Sequence, residues 1–138
     1  MEKDKNSLES SMYFISKFIE RNKIRVSFCD RIQQILKAKN IKSSDFQALT
    51  LLSKDIFSKL KKQDYKPTFK TVITLCAGLD LDIYTTNELL QKAGYSFNGS
   101  KEHTAYVTII TKYEGESISV RNEFLKEVGI KLLGEKNQ

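Results

Sequence analysis

Ser53-Lys54-Asp55-Ile56-Phe57-Ser58-Lys59-Leu60, with Lys61-Lys62 directly behind it, is the stretch on which the fold of this chain turns. On a helix, Ile56, Phe57 and Leu60 share one face at core spacing, while Lys54, Asp55, Ser58, Lys59 and Lys62 face away from it. Ser53 is placed to cap the first turn, and Asp55, at the third helical position, suits the positive end of the helix dipole. The outward set of ammonium groups, a hydroxyl and one carboxylate has the chemistry to bond phosphates and base edges. The segment therefore reads as a nucleic-acid-facing helix.

Upstream, Thr50-Leu51-Leu52 makes a turn, and before it a helix is expected from Ser43 or Ser44, both plausible caps, to Leu49 or Thr50, with Phe46 and Leu49 inward. Leu51 stands at a position that carries a steric cost if its φ is positive. A helix capped by Ser27 precedes it, with Phe28, Ile32, Ile35 and Leu36 buried, Asp30 in its first turn and Asn40 at its exit. The chain opens with a polar segment, too acidic for a signal peptide, and an amphipathic helix from about Leu8 to Arg21. The stripe of that helix, Leu8, Met12, Ile15, Phe18 and Ile19, is of a kind that packs on its own domain or a partner subunit more often than on a membrane.

Downstream, Pro67 is expected at the first helical position before an apolar helix, Thr71 to Leu79, and Thr85 or Thr86 caps a helix with Leu89, Leu90 and Ala93 inward and Gly94 as its stop. Asp80 and Asp82 fall in a predicted loop without a third carboxylate, so no metal is expected there. Ser100 precedes a stripe of Ala105, Tyr106, Ile109, Ile110 and Tyr113, helical by its spacing although its β-branched residues leave a strand as the alternative. After Gly115, Ser117 or Ser119 caps a last helix with Val120, Phe124, Leu125 and Val128 as its stripe.

From Phe28 to about Tyr95 the chain resembles the XRE family of Cro/C1-type helix-turn-helix domains. Phe57-Ser58-Lys59-Leu60 is similar to the family's recognition-helix segment, and Pro67-Thr68 followed by Val72, Leu75, Ala77 and Leu79 to its fifth helix. Asp64-Tyr65-Lys66-Pro67, Leu89-Leu90, Ala93-Gly94-Tyr95, Arg121-Asn122-Glu123 and Leu133-Gly134 look like a bacterial subgroup with a helical C-terminal extension. The resemblance implies an all-α, lambda-repressor-like five-helix domain. It leaves only the first helix uncovered. The expected organisation is an N-terminal helix (1–23), a DNA-binding domain (24–97) and a helical extension (98–138) that clamps the domain or forms a dimer. Two departures matter: Leu51 stands where the family's tight turn usually holds Gly or Asn, and Asp55 puts a carboxylate where the duplex would be.

Charge agrees with a polyanion partner. Residues 21–70 hold thirteen Lys and Arg against four Asp and Glu, so the basic excess of a chain with net charge +6 lies in the segment that contains the candidate helix. Cys29 and Cys76 lie far apart without Cys-x-x-Cys spacing, and read as buried, reduced thiols. His103, the single histidine, reads as a solvated or capping residue rather than a general base, and no phosphate loop, catalytic triad or metal cluster stands out. An enzyme, a cofactor and a bound metal are therefore not expected, and no apolar run approaches a membrane span.

The reading is a cytoplasmic, sequence-specific double-stranded DNA-binding protein, a small bacterial or phage transcription regulator acting as a homodimer. Lys54, Asp55, Ser58 and Lys59 are the base-reading candidates, and Lys42, Ser43, Ser44, Lys62, Lys66 and Lys70 the phosphate candidates. The alternative is a helix-turn-helix scaffold used to bind a partner protein, as an antitoxin or inhibitor does, because a fold does not fix a function.

Overall fold

A computed structural model describes residues 2–23 and 26–134, with side chains described for 7–17 and 26–134. Every regular element among them is a helix: α1 (Glu2–Lys23), α2 (Phe28–Ala38), α3 (Ser43–Thr50), α4 (Lys54–Lys59), α5 (Phe69–Gly78), α6 (Ile83–Lys92), α7 (Lys101–Thr111) and α8 (Ile118–Glu127). The helical spacing of Ala105 to Ile110 prevails over its β-branched content, because Ser100 caps α7 and one face buries Ala105, Tyr106, Ile109 and Ile110.

Helix α5 is the axis of the molecule. Thr71 through Ala77 are all buried, which a helix sustains only when neighbours surround it, and α3, α6, α7 and α8 all pack against α5. Its one tight crossing is at Gly78, where a Cβ would lie 2.6 Å from the Leu49 carbonyl oxygen and 2.7 Å from the Thr50 Cα. Only a hydrogen fits there, so Gly78 sets how near α3 comes to α5. Phe28, Ile32, Phe46, Leu60, Leu89, Leu90, Tyr106, Ile109, Leu125 and Leu133 belong to the same buried cluster, so the core runs continuously from α2 to the segment after α8.

Hydroxyl caps at Ser27 and Ser53 sit where the sequence places them, Ser117 is the one used of the two expected before the last helix, and Ser100 caps the helix it precedes, each accepting a backbone N–H three residues on. Four starts differ. The cap of α3 is Lys42 rather than Ser43 or Ser44, because the Asp45 carboxylate accepts the Lys42 N–H at 3.0 Å and fixes the entry one residue earlier. Pro67 lies outside α5, which Thr68 caps by accepting the Thr71 N–H at 3.1 Å. Asp82, not Thr85 or Thr86, caps α6, its carboxylate taking the Thr85 N–H at 2.7 Å. Helix α1 extends beyond Leu8–Arg21 at both ends.

Two faces are also corrected. Leu49 points outward, since the buried positions of α3 are Phe46 and Thr50. The buried face of α8 is Ile118, Arg121, Asn122 and Leu125, while Val120, Phe124 and Val128 are half-buried. An apolar count misses this face because two of its members are polar and fully bonded. Arg121 donates from Nη2 to Asp80 Oδ1 (2.7 Å), from Nη1 to the Ile109 carbonyl (3.0 Å) and from Nε to the Glu116 carbonyl (3.1 Å). Asn122 bonds both the N–H and the C=O of Leu133, at 2.8 and 3.0 Å.

In α1, Leu8, Met12 and Ile15 are exposed, so the described part of its stripe covers nothing; the side chains of Phe18, Ile19 and Arg21 lie outside the described residues. Helices α7 and α8 do the opposite, closing on α5 and on each other. His103 is half-buried rather than solvated: its Nδ1 accepts the Asn98 N–H at 2.9 Å and its ring stacks on Phe69, 4.1 Å between centroids. Cys29 and Cys76 are free, buried thiols, and burial pushes the Cys76 thiol up to about 12.

Asp80 is no idle loop residue. Its carboxyl is held below its ordinary range first by the Gly115 N–H at 2.9 Å and then, against a burial cost, by Arg121. A folded-state value below the unfolded one stabilises the protein above the unfolded value, and this stabilisation is lost as pH falls through the folded value. We expect acid unfolding below about pH 4 to be shallower in Asp80→Asn than in the parent, as measured by urea midpoints across an acid series.

Candidate nucleic-acid interface

Helix α4 is a single short helix held at each end. At its start the Ser53 hydroxyl accepts the Ile56 N–H at 3.4 Å; at its end the Leu60 carbonyl accepts from Gln33 Nε2 at 3.1 Å. Its inward side is as the spacing predicts: Leu60 is wholly buried, and Ile56 and Phe57 pack partly against the core. The Phe57 ring lies 5.0 Å from that of Phe46, which locks α4 to α3, and Lys61 Nζ lies 5.3 Å from the same ring on its other contact. Six residues make too short a helix to be stable alone, so these tertiary contacts define its orientation.

The outward side presents Lys54, Asp55 and Ser58 to solvent, with Lys59 half-exposed. Asp55 does not stand as a bare carboxylate, because Lys59 Nζ lies 3.1 Å from its Oδ2 one helical turn on. An exposed pair of this kind contributes little to stability, about 0.3–0.5 kcal/mol. What the pair changes is the chemistry of the face: Asp55 and Lys59 together offer an acceptor and donors with no net charge, and Lys54 adds a cation at the head of the helix.

Among the phosphate candidates, Lys42 and Ser44 are exposed at the start of α3, Ser43 is half-buried beside them, and Lys62 and Lys66 are exposed in the segment after α4. That segment is tied to α2. The Lys62 carbonyl accepts from Cys29 Sγ at 3.1 Å, and Gln63 receives the Ser27 hydroxyl proton at 2.7 Å while donating to Asp30 at 2.5 Å. Lys70 differs from the rest. It is half-buried, and its ammonium is held below its usual value first by burial and then by Lys131, against the pull of Glu102. Those neighbours belong to the segment after α8 and to α7, so Lys70 looks toward the C-terminal helices.

The turn between α3 and α4 keeps its tight form with leucine in place. Leu51 has φ 59° and ψ 20°, the left-handed region that a γ-branched side chain enters at a cost of about 1 kcal/mol. Thr50 fixes it from within: its buried hydroxyl donates to the Phe46 carbonyl at 2.7 Å and accepts the Leu52 N–H at 3.1 Å. From outside, Gly134 closes on it, with the position of a Cβ only 3.0 Å from Leu51 Cβ. Asn122, through its two bonds to Leu133, holds that last segment in place. Gln33, Gln63, Thr50, Gly78 and Asn122 are thus supports of α4 and its flanking turns that periodicity did not single out: Gln33, Gly78 and Asn122 meet backbone groups distant in sequence, Gln63 the side chains of Ser27 and Asp30, and Thr50 the backbone of its own turn.

Among the described residues no helix is long and apolar enough to cross a membrane. Residues 31–92, from the first turn of α2 to the end of α6, match the family model of the Cro/C1-type HTH DNA-binding domain. No curated protein and no solved structure matches the chain.

Proposed function

We propose that this chain, which carries a Cro/C1-type HTH DNA-binding domain over residues 31–92, is a sequence-specific double-stranded DNA-binding regulator of a bacterium or phage. One observation carries the reading: α4, inside the matched segment, turns Lys54, Asp55 and Ser58 to solvent from a backbone fixed at both ends. A rigid short helix with a polar face is what base readout in the major groove needs. In this mechanism α4 enters the groove, Lys54, Ser58 and the Asp55–Lys59 pair meet base edges, and Lys42, Ser43, Ser44, Lys62 and Lys66 hold phosphates on either side. Lys70 adds field rather than contact. In this reading 24–97 is the reading unit and 98–138 its extension, whose described helices, α7 and α8, pack on α5.

The test is an unbiased duplex selection followed by titration. Lys54→Ala with Lys59→Ala is expected to lower affinity for the selected site by about 100-fold, since each good base contact is worth ~1–3 kcal/mol; selectivity unchanged by the pair would remove α4 from the role. Lys66→Ala should weaken all sequences alike and reduce the salt slope by about 0.9.

A second reading, a module that binds a partner protein, is favoured by Leu49 and Leu51, which stand 39% and 41% exposed beside the turn. Enrichment of one inverted repeat in the selection supports the regulator. A stoichiometric protein partner with no enriched duplex supports the module.

A further inference from the structure

We propose that Asp55 and Lys59 act as one reader of a single C·G base pair, the carboxylate taking the cytosine and the ammonium the guanine. The inference rests on the DNA reading of α4 and adds to it which base edge these two residues fit. Lys59 Nζ lies 3.1 Å from Asp55 Oδ2, and the side chains stay 44% and 72% exposed. They stand one turn apart on the outward side of a helix whose inward side is anchored by the buried Leu60. A ligand therefore meets an acceptor and a donor side by side.

Hydrogen-bonding capacity decides what this couple fits. A carboxylate only accepts and an ammonium only donates, so neither can adapt as Ser58 can, whose hydroxyl suits either kind of base edge. The bridge engages one of the three N–H groups of Lys59 and leaves two for a base, and the carboxylate keeps lone pairs for a second donor. In the major groove guanine shows two neighbouring acceptors, O6 and N7, and the cytosine opposite shows its N4 donor beside them. Cytosine N4 and guanine O6 are bonded to each other at about 2.9 Å, close to the spacing of the couple. The four atoms then close a ring in which every donor faces an acceptor. An A·T pair offers no such match: its N6 donor is flanked on both sides by acceptors, adenine N7 and thymine O4, which repel a carboxylate.

Charge agrees with the assignment. Alone, the Asp55 carboxylate would be pushed off a duplex by its phosphates; bridged to Lys59, it approaches as half of a neutral pair. Each residue thus has a base to read and a partner that makes the approach possible, so the two should lose their selectivity together.

The test is a selection by the full chain from a pool of random duplexes, followed by titration of the enriched duplex and its single base-pair variants. One position is expected to require C·G, with replacement by A·T or T·A weakening binding about 10- to 100-fold. In Asp55→Asn that position should change its preference to A·T, because a side-chain amide pairs with adenine N6 and N7. In Lys59→Met the preference should vanish. Placing 7-deazaguanine, which lacks the N7 acceptor, at that position should weaken the parent chain and leave Lys59→Met unaffected. Thermal unfolding of both variants should move little, since neither side chain is buried. Were Asp55 only a partner of the helix dipole, its replacement would change binding to all base pairs alike. That uniform change, or base preferences that survive both substitutions, overturns the proposal and leaves α4 as the reading helix. Enrichment of no duplex overturns it together with the DNA reading.

Discussion

Gly78→Ala is expected to destabilise the protein by about 3 kcal/mol or more, at the upper end of what overpacking costs. On helix propensity alone the change should stabilise, by ~1 kcal/mol, so the sign of the result separates the two effects. We expect the clash to win because the atoms met are not side-chain ends that can rotate away. The Leu49 carbonyl oxygen and the Thr50 Cα, at 2.6 and 2.7 Å, belong to the backbone of α3. Relief therefore requires α3 to move off α5, and α4 is fastened to α3 through Phe46 and Phe57. A folded residue of the variant should accordingly bind a selected duplex less well than its folded fraction accounts for. Urea unfolding measures the first effect and titration at low temperature the second. The neighbouring Ala77→Gly, which adds no atom, supplies the control, losing about 1 kcal/mol to propensity with no such loss of binding per folded molecule.

Arg121→Met should cost about 3 kcal/mol, or roughly 10 °C in Tm for a chain of this size. The guanidinium is entirely buried and each of its three nitrogens has a partner. Removing it leaves the Ile109 and Glu116 carbonyls without their donor. Asp80 is 47% exposed and can turn to water, which keeps the loss at the low end of the range for a broken buried pair. Arg121→Lys should recover only part of the stability, since one ammonium cannot reach three acceptors spread over the Asp80 turn, α7 and the loop before α8. Thermal denaturation of both variants checks the order; a methionine variant as stable as the lysine one would mean that the hydrogen bonds contribute nothing.

Much of the fold was legible because it is written in short-range signals. The serine caps at 27 and 53, Asn40 and Gly94 at helix ends, and the apolar side of α4 each need only a few neighbouring residues to be recognised. The misread starts show where such signals compete. Asp82 and the Thr85 and Thr86 hydroxyls are all capable caps, and the carboxylate prevails, leaving the Thr86 hydroxyl to donate to the Asp82 carbonyl. Long-range features left no local trace. Arg121 and Asn122 look like surface polarity in a helix until Asp80 and Leu133 are brought to them, and Gly78 looks like an exposed helix end until α3 crosses it. The outward face of α4 was legible as chemistry, but the neutralising pair of Asp55 and Lys59 appears only once the side-chain rotamers are known.

The contact between Leu51 and Gly134 joins points 83 residues apart in the chain. The bonds made by the Thr50 hydroxyl and the packing of the Phe46 and Phe57 rings, by contrast, are encoded within a dozen residues of the turn. Loop closure over that span is the entropically dearest step at the turn, and contacts of such separation slow folding. The Leu51–Gly134 contact is therefore expected to form after the local contacts of the turn. Sequence change around residue 134 is then expected to alter how firmly a strained leucine is held without touching the outward face of α4.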